Sequence, residues 1–206
     1  MVPFMIVLGL TGSIGMGKST AARALRRLGL PVHDSDAAVH RLMAKGGAAV
    51  AAIDAAFPGV VVDGAVDRKA LGAKVFGNPA ELRRLEKILH PMVRQVTRRF
   101  VQRARAQRRP LVVLDIPLLF ETGGEKRCDA VMVVTAPRFL QRARVLARPN
   151  MSPQRLAQIE AQQMPDAEKR RRADIVVDTG LGYRAALVTL RRALQQLPGR
   201  HRRRMP

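Results

Sequence analysis

Apolar residues fall along this chain in two alternating rhythms. Phe4 to Leu10, Leu111 to Leu114 and Ala130 to Val134 are short unbroken runs, the pattern of strands buried on both faces of a parallel sheet. Pro31-Val32-His33 and Ile175-Val176-Val177 read as two further short strands. Between them the spacing turns helical. Ala21, Ala24, Leu25 and Leu28 line one face of a helix over Lys18–Leu28, and Gly29 stops it. Asn78-Pro79 opens another, with an N-cap residue and a proline at the first helical position. Pro91 interrupts that pattern, so Glu81–Leu89 and Pro91–Gln107 are expected to be two helices meeting at His90, the second burying Val93, Val96, Phe100 and Ala104. Residues 37–110 read as helical throughout, and so does the stretch from Arg138 to Arg171. Strands separated by helices require crossover connections. The expected fold is therefore α/β, a three-layer core around a five-stranded parallel sheet with two helical insertions.

Composition narrows the function classes. A chain of 206 residues suits one domain carrying insertions, and 47% hydrophobic with 26% charged residues is globular composition. Aromatics are only 3%, so the core must be aliphatic, and binding of single-stranded nucleic acid by aromatic stacking is disfavoured. Cys128 is the single cysteine, which excludes an internal disulfide and a cysteine-cluster metal site. No run approaches the roughly 18 apolar residues of a membrane span. The first ten residues lack a basic segment and a cleavage site. A cytoplasmic protein with no membrane partner is expected. The formal net charge is +21, and 30 of the 37 basic residues are arginine. Some lie in Arg200–Arg204, within residues 199–206 that follow Pro198 and are expected to form a disordered tail after a helix ending near Leu197. Others cover helix surfaces, as at Arg94, Arg98, Arg99, Arg103, Arg105, Arg108 and Arg109. A positive field that steers a phosphorylated small molecule accounts for this charge without specific nucleic-acid binding.

The chemistry concentrates after the first strand. Gly12-Ser13-Ile14-Gly15-Met16-Gly17-Lys18-Ser19 fits G-x-x-x-x-G-K-[ST], preceded by a buried strand and followed by an amphipathic helix. Its glycines let successive N–H groups converge on phosphate oxygens at a helix N-terminus, so Gly12 to Thr20 is the expected nucleotide cradle. In such a loop Lys18 reaches the β and γ phosphates and the Ser19 hydroxyl ligates Mg²⁺. Asp115, ending the third strand, is the expected second metal group. No Asn-Lys-x-Asp base-reading motif occurs, which favours ATP over GTP.

Several further motifs stand in order along the chain. They are Asp34-Ser35-Asp36, Val66-Asp67-Arg68 with Leu71, Val75 and Phe76, Leu89-His90-Pro91, and the heptad Asp115-Ile116-Pro117-Leu118-Leu119-Phe120-Glu121. Gln141, Arg144 and Arg148 follow, then Gln163, Lys169, Ala173 and Asp174. With the phosphate loop, these resemble the dephospho-CoA kinase family from about Ile6 to Leu190. Pro149 and Thr179 depart from its pattern, at positions where an acid and an asparagine are usual.

The resemblance implies ATP-dependent phosphorylation of the 3′-hydroxyl of dephospho-CoA. It also implies a nucleotide core of residues 1–36, 111–136 and 172–198, a helical substrate domain of residues 37–110 and a lid of residues 137–171. Asp36 is then the base, supported by Asp34. Lys18, Arg144 and Arg148 neutralise the phosphates, the two arginines from one helix face. Arg68, His90, Pro117 and Leu118 join Asp34 and Asp36 on the substrate. The partner is a small molecule, and the protein is expected to be a monomer or small homo-oligomer. Another P-loop kinase of a nucleoside or nucleoside monophosphate, or a nucleic-acid-stimulated ATPase, are the alternatives.

Overall fold

The computed structural model of the chain describes residues 5–202, with side chains described through Leu197. Its elements run β1 (Ile6–Thr11), α1 (Lys18–Arg27), β2 (Val32–Asp34), α2 (Ser35–Met43), α3 (Val50–Ala56), β3 (Val61–Val62), β4 (Ala65–Val66), α4 (Arg68–Val75) and α5 (Pro79–Ala106). Then follow β5 (Leu111–Asp115), a 3₁₀ turn (Gly124–Arg127), β6 (Ala130–Thr135), α6 (Arg138–Leu146), α7 (Pro153–Ala161), α8 (Asp166–Arg172), β7 (Ile175–Asp178) and α9 (Tyr183–Arg202). They divide into two compact units, residues 34–103 and the remainder.

The larger unit is built on a five-stranded sheet in the order β2-β5-β1-β6-β7. The central strand β1 pairs in parallel with β5, Leu10 opposite Asp115, and with β6, Thr11 opposite Val133. Every residue of β1, β5 and β6 is buried, as unbroken apolar runs require. The edge strand β7 alternates instead, with Ile175 and Val177 inward and Val176 and Asp178 exposed. On one face, Leu8, Leu10, Met132 and Val134 pack with Ala21, Ala24 and Leu25 of α1 and Leu190 and Ala193 of α9. The alanines of α1 let that helix lie close to the sheet. Leu119 and Phe120 pack with Val131 and Val133 in a separate cluster.

The smaller unit has its own core of Ala49, Ile53, Phe57, Val60, Val66, Leu71, Val75 and Leu85. Two expectations change here. Residues 61–66 form an antiparallel hairpin, Val61 opposite Val66, rather than helix. Asp63 (φ 51°) and Gly64 (φ 76°) turn it, and two positive φ angles in a two-residue loop are what an Asp-Gly hairpin turn supplies. Second, α5 is one helix through Pro91, not two meeting at His90. The proline costs a backbone bond and a kink, roughly 3 kcal/mol. Leu85, Ile88 and Leu89 before it and Met92, Val93 and Val96 after it all pack into the same core, which offsets that loss.

At the chain's end, α9 is helical through Arg202, past the expected stop near Leu197 and into residues 199–202 that were expected to be disordered. Residues 203–206 lie outside the described residues. Among the described residues no helix is long and apolar enough to cross a membrane.

Candidate active site

The phosphate loop leaves the C-terminal end of the central strand and enters α1. Gly17 is the N-cap of that helix in left-handed conformation, φ 88°, and a Cβ there would sit 2.9 Å from the Thr179 hydroxyl oxygen. Any larger residue would be both strained and obstructed. Lys18, the first residue of α1, places Nζ 2.7 Å from Asp115 Oδ1, and Asp115 is only 3% exposed. Both predicted groups therefore meet, Lys18 from the first turn of α1 and Asp115 from the end of β5. Ser19 is exposed in the first turn of α1.

Around this pair the loop is tied to its surroundings by side chains. Arg144 donates from Nη2 to Thr179 O at 2.9 Å and from Nη1 to Thr179 Oγ1 at 3.0 Å, and Nη1 is 3.5 Å from Gly15 O. The Thr179 hydroxyl donates to Met16 O at 2.9 Å. Thr179 thereby joins Arg144 to the loop. Gln141 Nε2 donates to Ile14 O at 2.9 Å, and Gln163 Oε1 accepts from Ile14 N–H at 3.1 Å. A cleft of about 740 Å³ opens beside the loop, lined by Ser13, Met16, Gln141, Gln163 and Asp166 among others.

Arg148 behaves differently from Arg144. Helix α6 ends at Leu146, so the two arginines do not share a helix face as expected, and Arg148 lies exposed beyond the helix. The cause is Pro149, which disfavours helical geometry at the residue before it.

The heptad after β5 turns out largely to organise the site. Pro117 O accepts from Thr11 Oγ1 at 2.9 Å, Leu119 and Phe120 are core, and Leu118 is exposed. Glu121 accepts from Met164 N–H at 2.8 Å and pairs with Lys169 Nζ at 2.9 Å. Lys169 is fully buried. Burial pushes the Glu121 carboxyl upward, but the bonds from Lys169, from its own N–H and from Met164 N–H outweigh it, and the group titrates below its ordinary value. Burial pushes the Cys128 thiol up to about 12, which keeps it protonated and unreactive.

In the smaller unit the candidates stand apart from any such network. Asp34 caps α2, accepting from Ala37 N–H at 2.9 Å, while Asp36 in the first turn is exposed. Asp67 caps α4 by accepting from Lys69 and Ala70 N–H groups, which explains the Asp before Arg68. Arg68 and His90 are exposed.

A parallel sheet with the phosphate loop leaving its central strand and a Lys–Asp pair beside that loop defines a P-loop nucleotide-binding protein. Shikimate kinase from Acinetobacter baumannii shares this fold at a TM-score of 0.55 and 18% identity, over 96% of each chain. The profile of the dephospho-CoA kinase family matches residues 6–182, and the chain belongs to that family. Dephospho-CoA kinase from Paramagnetospirillum magneticum is 70% identical over 81% of this chain and 78% of its own. The Rhodospirillum rubrum enzyme is 60% identical over 90% and 89%. A crystal structure from Thermus thermophilus superposes with a TM-score of 0.81 at 39% identity, covering 95% of this chain and 97% of that one.

Proposed function

We propose that this protein transfers the γ-phosphoryl group of ATP to the ribose 3′-hydroxyl of dephospho-CoA, giving coenzyme A and ADP. The observation that carries the reading is the Lys18–Asp115 pair at the mouth of a complete phosphate loop, in a chain matched to the family over residues 6–182. Gly12 to Thr20 would bind the triphosphate through backbone N–H groups, with Lys18 spreading charge from the transferring group. Arg144, held at Gly15 O and Thr179 O beside the loop, would add its charge there. Arg148 would join it from residues 137–171 acting as a lid.

Ser19 and Asp115 offer a hydroxyl and a carboxylate oxygen, hard donors that fit Mg²⁺. When bound, the ion would neutralise charge on the phosphate oxygens. Asp36 accepts the proton as the 3′-oxygen bonds to phosphorus and the bridging oxygen leaves with ADP. With Asp34 committed to capping α2, the exposed Asp36 is the free carboxylate of the pair. Arg68, His90, Pro117 and Leu118 are the further residues assigned to the acceptor. The positive charge serves to gather anionic substrates, with no nucleic acid required. The enzyme acts in the cytoplasm as a monomer or small homo-oligomer.

A coupled ADP-release assay with dephospho-CoA, adenosine, AMP and CMP tests the reading. Turnover with dephospho-CoA alone is expected. Turnover with AMP or CMP but not dephospho-CoA would overturn it. ATP hydrolysis stimulated by RNA or DNA and lost steeply with salt would favour a nucleic-acid-dependent ATPase instead.

A further inference from the structure

One residue of the phosphate loop is held from two directions. Ile14 N–H donates to the Gln163 side chain and Ile14 C=O accepts from the Gln141 side chain, at 3.1 and 2.9 Å. These groups belong to consecutive peptide planes, Ser13–Ile14 and Ile14–Gly15, so both planes are pinned against rotation. Gln141 is 5% exposed on α6, whose backbone presses on the loop. A Cβ on Gly15 would lie 2.9 Å from Gln141 O and 2.6 Å from a Val145 methyl. Gln163 follows α7, and its neighbour Met164 donates its N–H to Glu121. Glu121 in turn grips the fully buried Lys169 of α8. A continuous path therefore runs from the buried ion pair through Met164 and Gln163 to the crest of the cradle.

We propose that Gln141 and Gln163 are positioning residues for the nucleotide. Gln163 acts as the hydrogen-bond acceptor and Gln141 as the donor of a two-sided clamp that fixes the loop for phosphate, and the Glu121–Lys169 pair anchors the Gln163 arm. The inference rests on the phosphoryl-transfer reading for its setting, but its readout is nucleotide affinity, which needs no acceptor. Fixing the loop before the nucleotide arrives removes an ordering cost from binding. The roles of the two amides are set by chemistry, because a backbone N–H can only donate and a carbonyl can only accept.

That asymmetry gives the test. Binding of a fluorescent ATP analogue and steady-state kinetics would be measured for Gln163→Leu, Gln163→Glu, Gln141→Leu and Gln141→Glu, with melting temperatures recorded. Gln163→Leu and Gln141→Leu are each expected to weaken nucleotide binding by several-fold to about tenfold, the range of one hydrogen bond, raising KM for ATP and leaving KM for dephospho-CoA unchanged. Gln163→Glu keeps an acceptor toward Ile14 N–H and should recover most of the affinity. Gln141→Glu turns a carboxylate on the Ile14 carbonyl and should not. Both glutamates add the same charge near the phosphates, so the difference between them reads the bond and not the charge.

Lys169→Met should weaken nucleotide binding in the wild-type background and add little once Gln163 is Leu. Equal losses for Gln163→Glu and Gln141→Glu would overturn the clamp, as would wild-type nucleotide affinity in Gln163→Leu. If Gln141→Leu does not fold, the Gln163 pair decides alone. Loss of dephospho-CoA turnover in the wild type, with the glutamine pattern intact in nucleotide binding, would overturn the assigned acceptor and leave the clamp standing.

Discussion

The two units of the molecule carry their candidate residues in opposite ways. In the larger unit, Lys18, Asp115, Arg144 and the loop itself are bonded to one another or to neighbours, through Thr179, Gln141 and Gln163. In the smaller unit, Asp36, Arg68 and His90 are exposed, and the buried interior is apolar. Phosphate is the invariant part of a nucleotide and rewards a site built in advance. A large, flexible acceptor is better met by side chains that order around it. Substitutions in the bonded network of the first unit should therefore disturb both stability and turnover, and those at the exposed Asp36, Arg68 and His90 should disturb turnover alone.

The largest effect is expected at Lys18. Lys18→Ala removes a preorganised cation from the transferring group and leaves the Asp115 carboxylate without that ion pair. A fall in kcat of about 10³-fold is expected, with a lowered melting temperature, read by the coupled assay and by calorimetry. Glu121→Ala comes next and acts on stability. It strips the partner from a fully buried ammonium, a change that costs roughly 3 kcal/mol or more in urea unfolding.

The same group sets an acid limit. Because the folded-state value of Glu121 is lowered from about 4.5, its contribution is present above that value and is lost as pH falls through the lower folded one. Glu121→Gln should flatten the acid limb of stability below pH 4.5 relative to wild type.

Asp36→Asn is expected to cost about 10²-fold in kcat, the lower part of the range for a general base in a loose transition state. The KM for ATP and the melting temperature should not move, in contrast to Lys18→Ala. Asp34→Ala should do the reverse on a smaller scale, losing about 1 kcal/mol of stability with the α2 cap and little turnover. If Asp34→Asn proves crippled and Asp36→Asn near normal, the roles of the two aspartates are exchanged.

Much of this was legible in the sequence because it is local. The strands show as unbroken apolar runs, the cradle as a fixed spacing, and Asp115 as the residue ending a strand. The rest depends on contacts distant in sequence. Lys169 sits in a Lys-Arg-Arg-Arg run that reads as solvated surface, yet it is buried because Glu121 reaches it from the far end of the heptad. Gln141, Gln163 and Thr179 are unremarkable types whose roles appear only when α6, α7 and β7 converge on the loop. Pro91 reads locally as a helix break, but its penalty gives way to the apolar packing of both helix halves. Asp63-Gly64 is a hairpin signal with a clear mechanism, set inside a stretch that otherwise reads as helical.

The contrast between a prebuilt phosphate site and an unbuilt acceptor site can be measured directly by residue-resolved hydrogen exchange on the free protein, with an ATP analogue, and with dephospho-CoA. The amides of Ile14 and Met16, bonded to Gln163 and to Ser13 O, should be slow before any ligand is added. The amides of Ser35, Asp36 and Arg68, which open α2 and α4 ahead of the positions that Asp34 and Asp67 cap, should slow markedly only with dephospho-CoA. An Ile14 amide that exchanges as fast as an open loop in the free protein would contradict the account, as would an acceptor that leaves both helix openings unchanged.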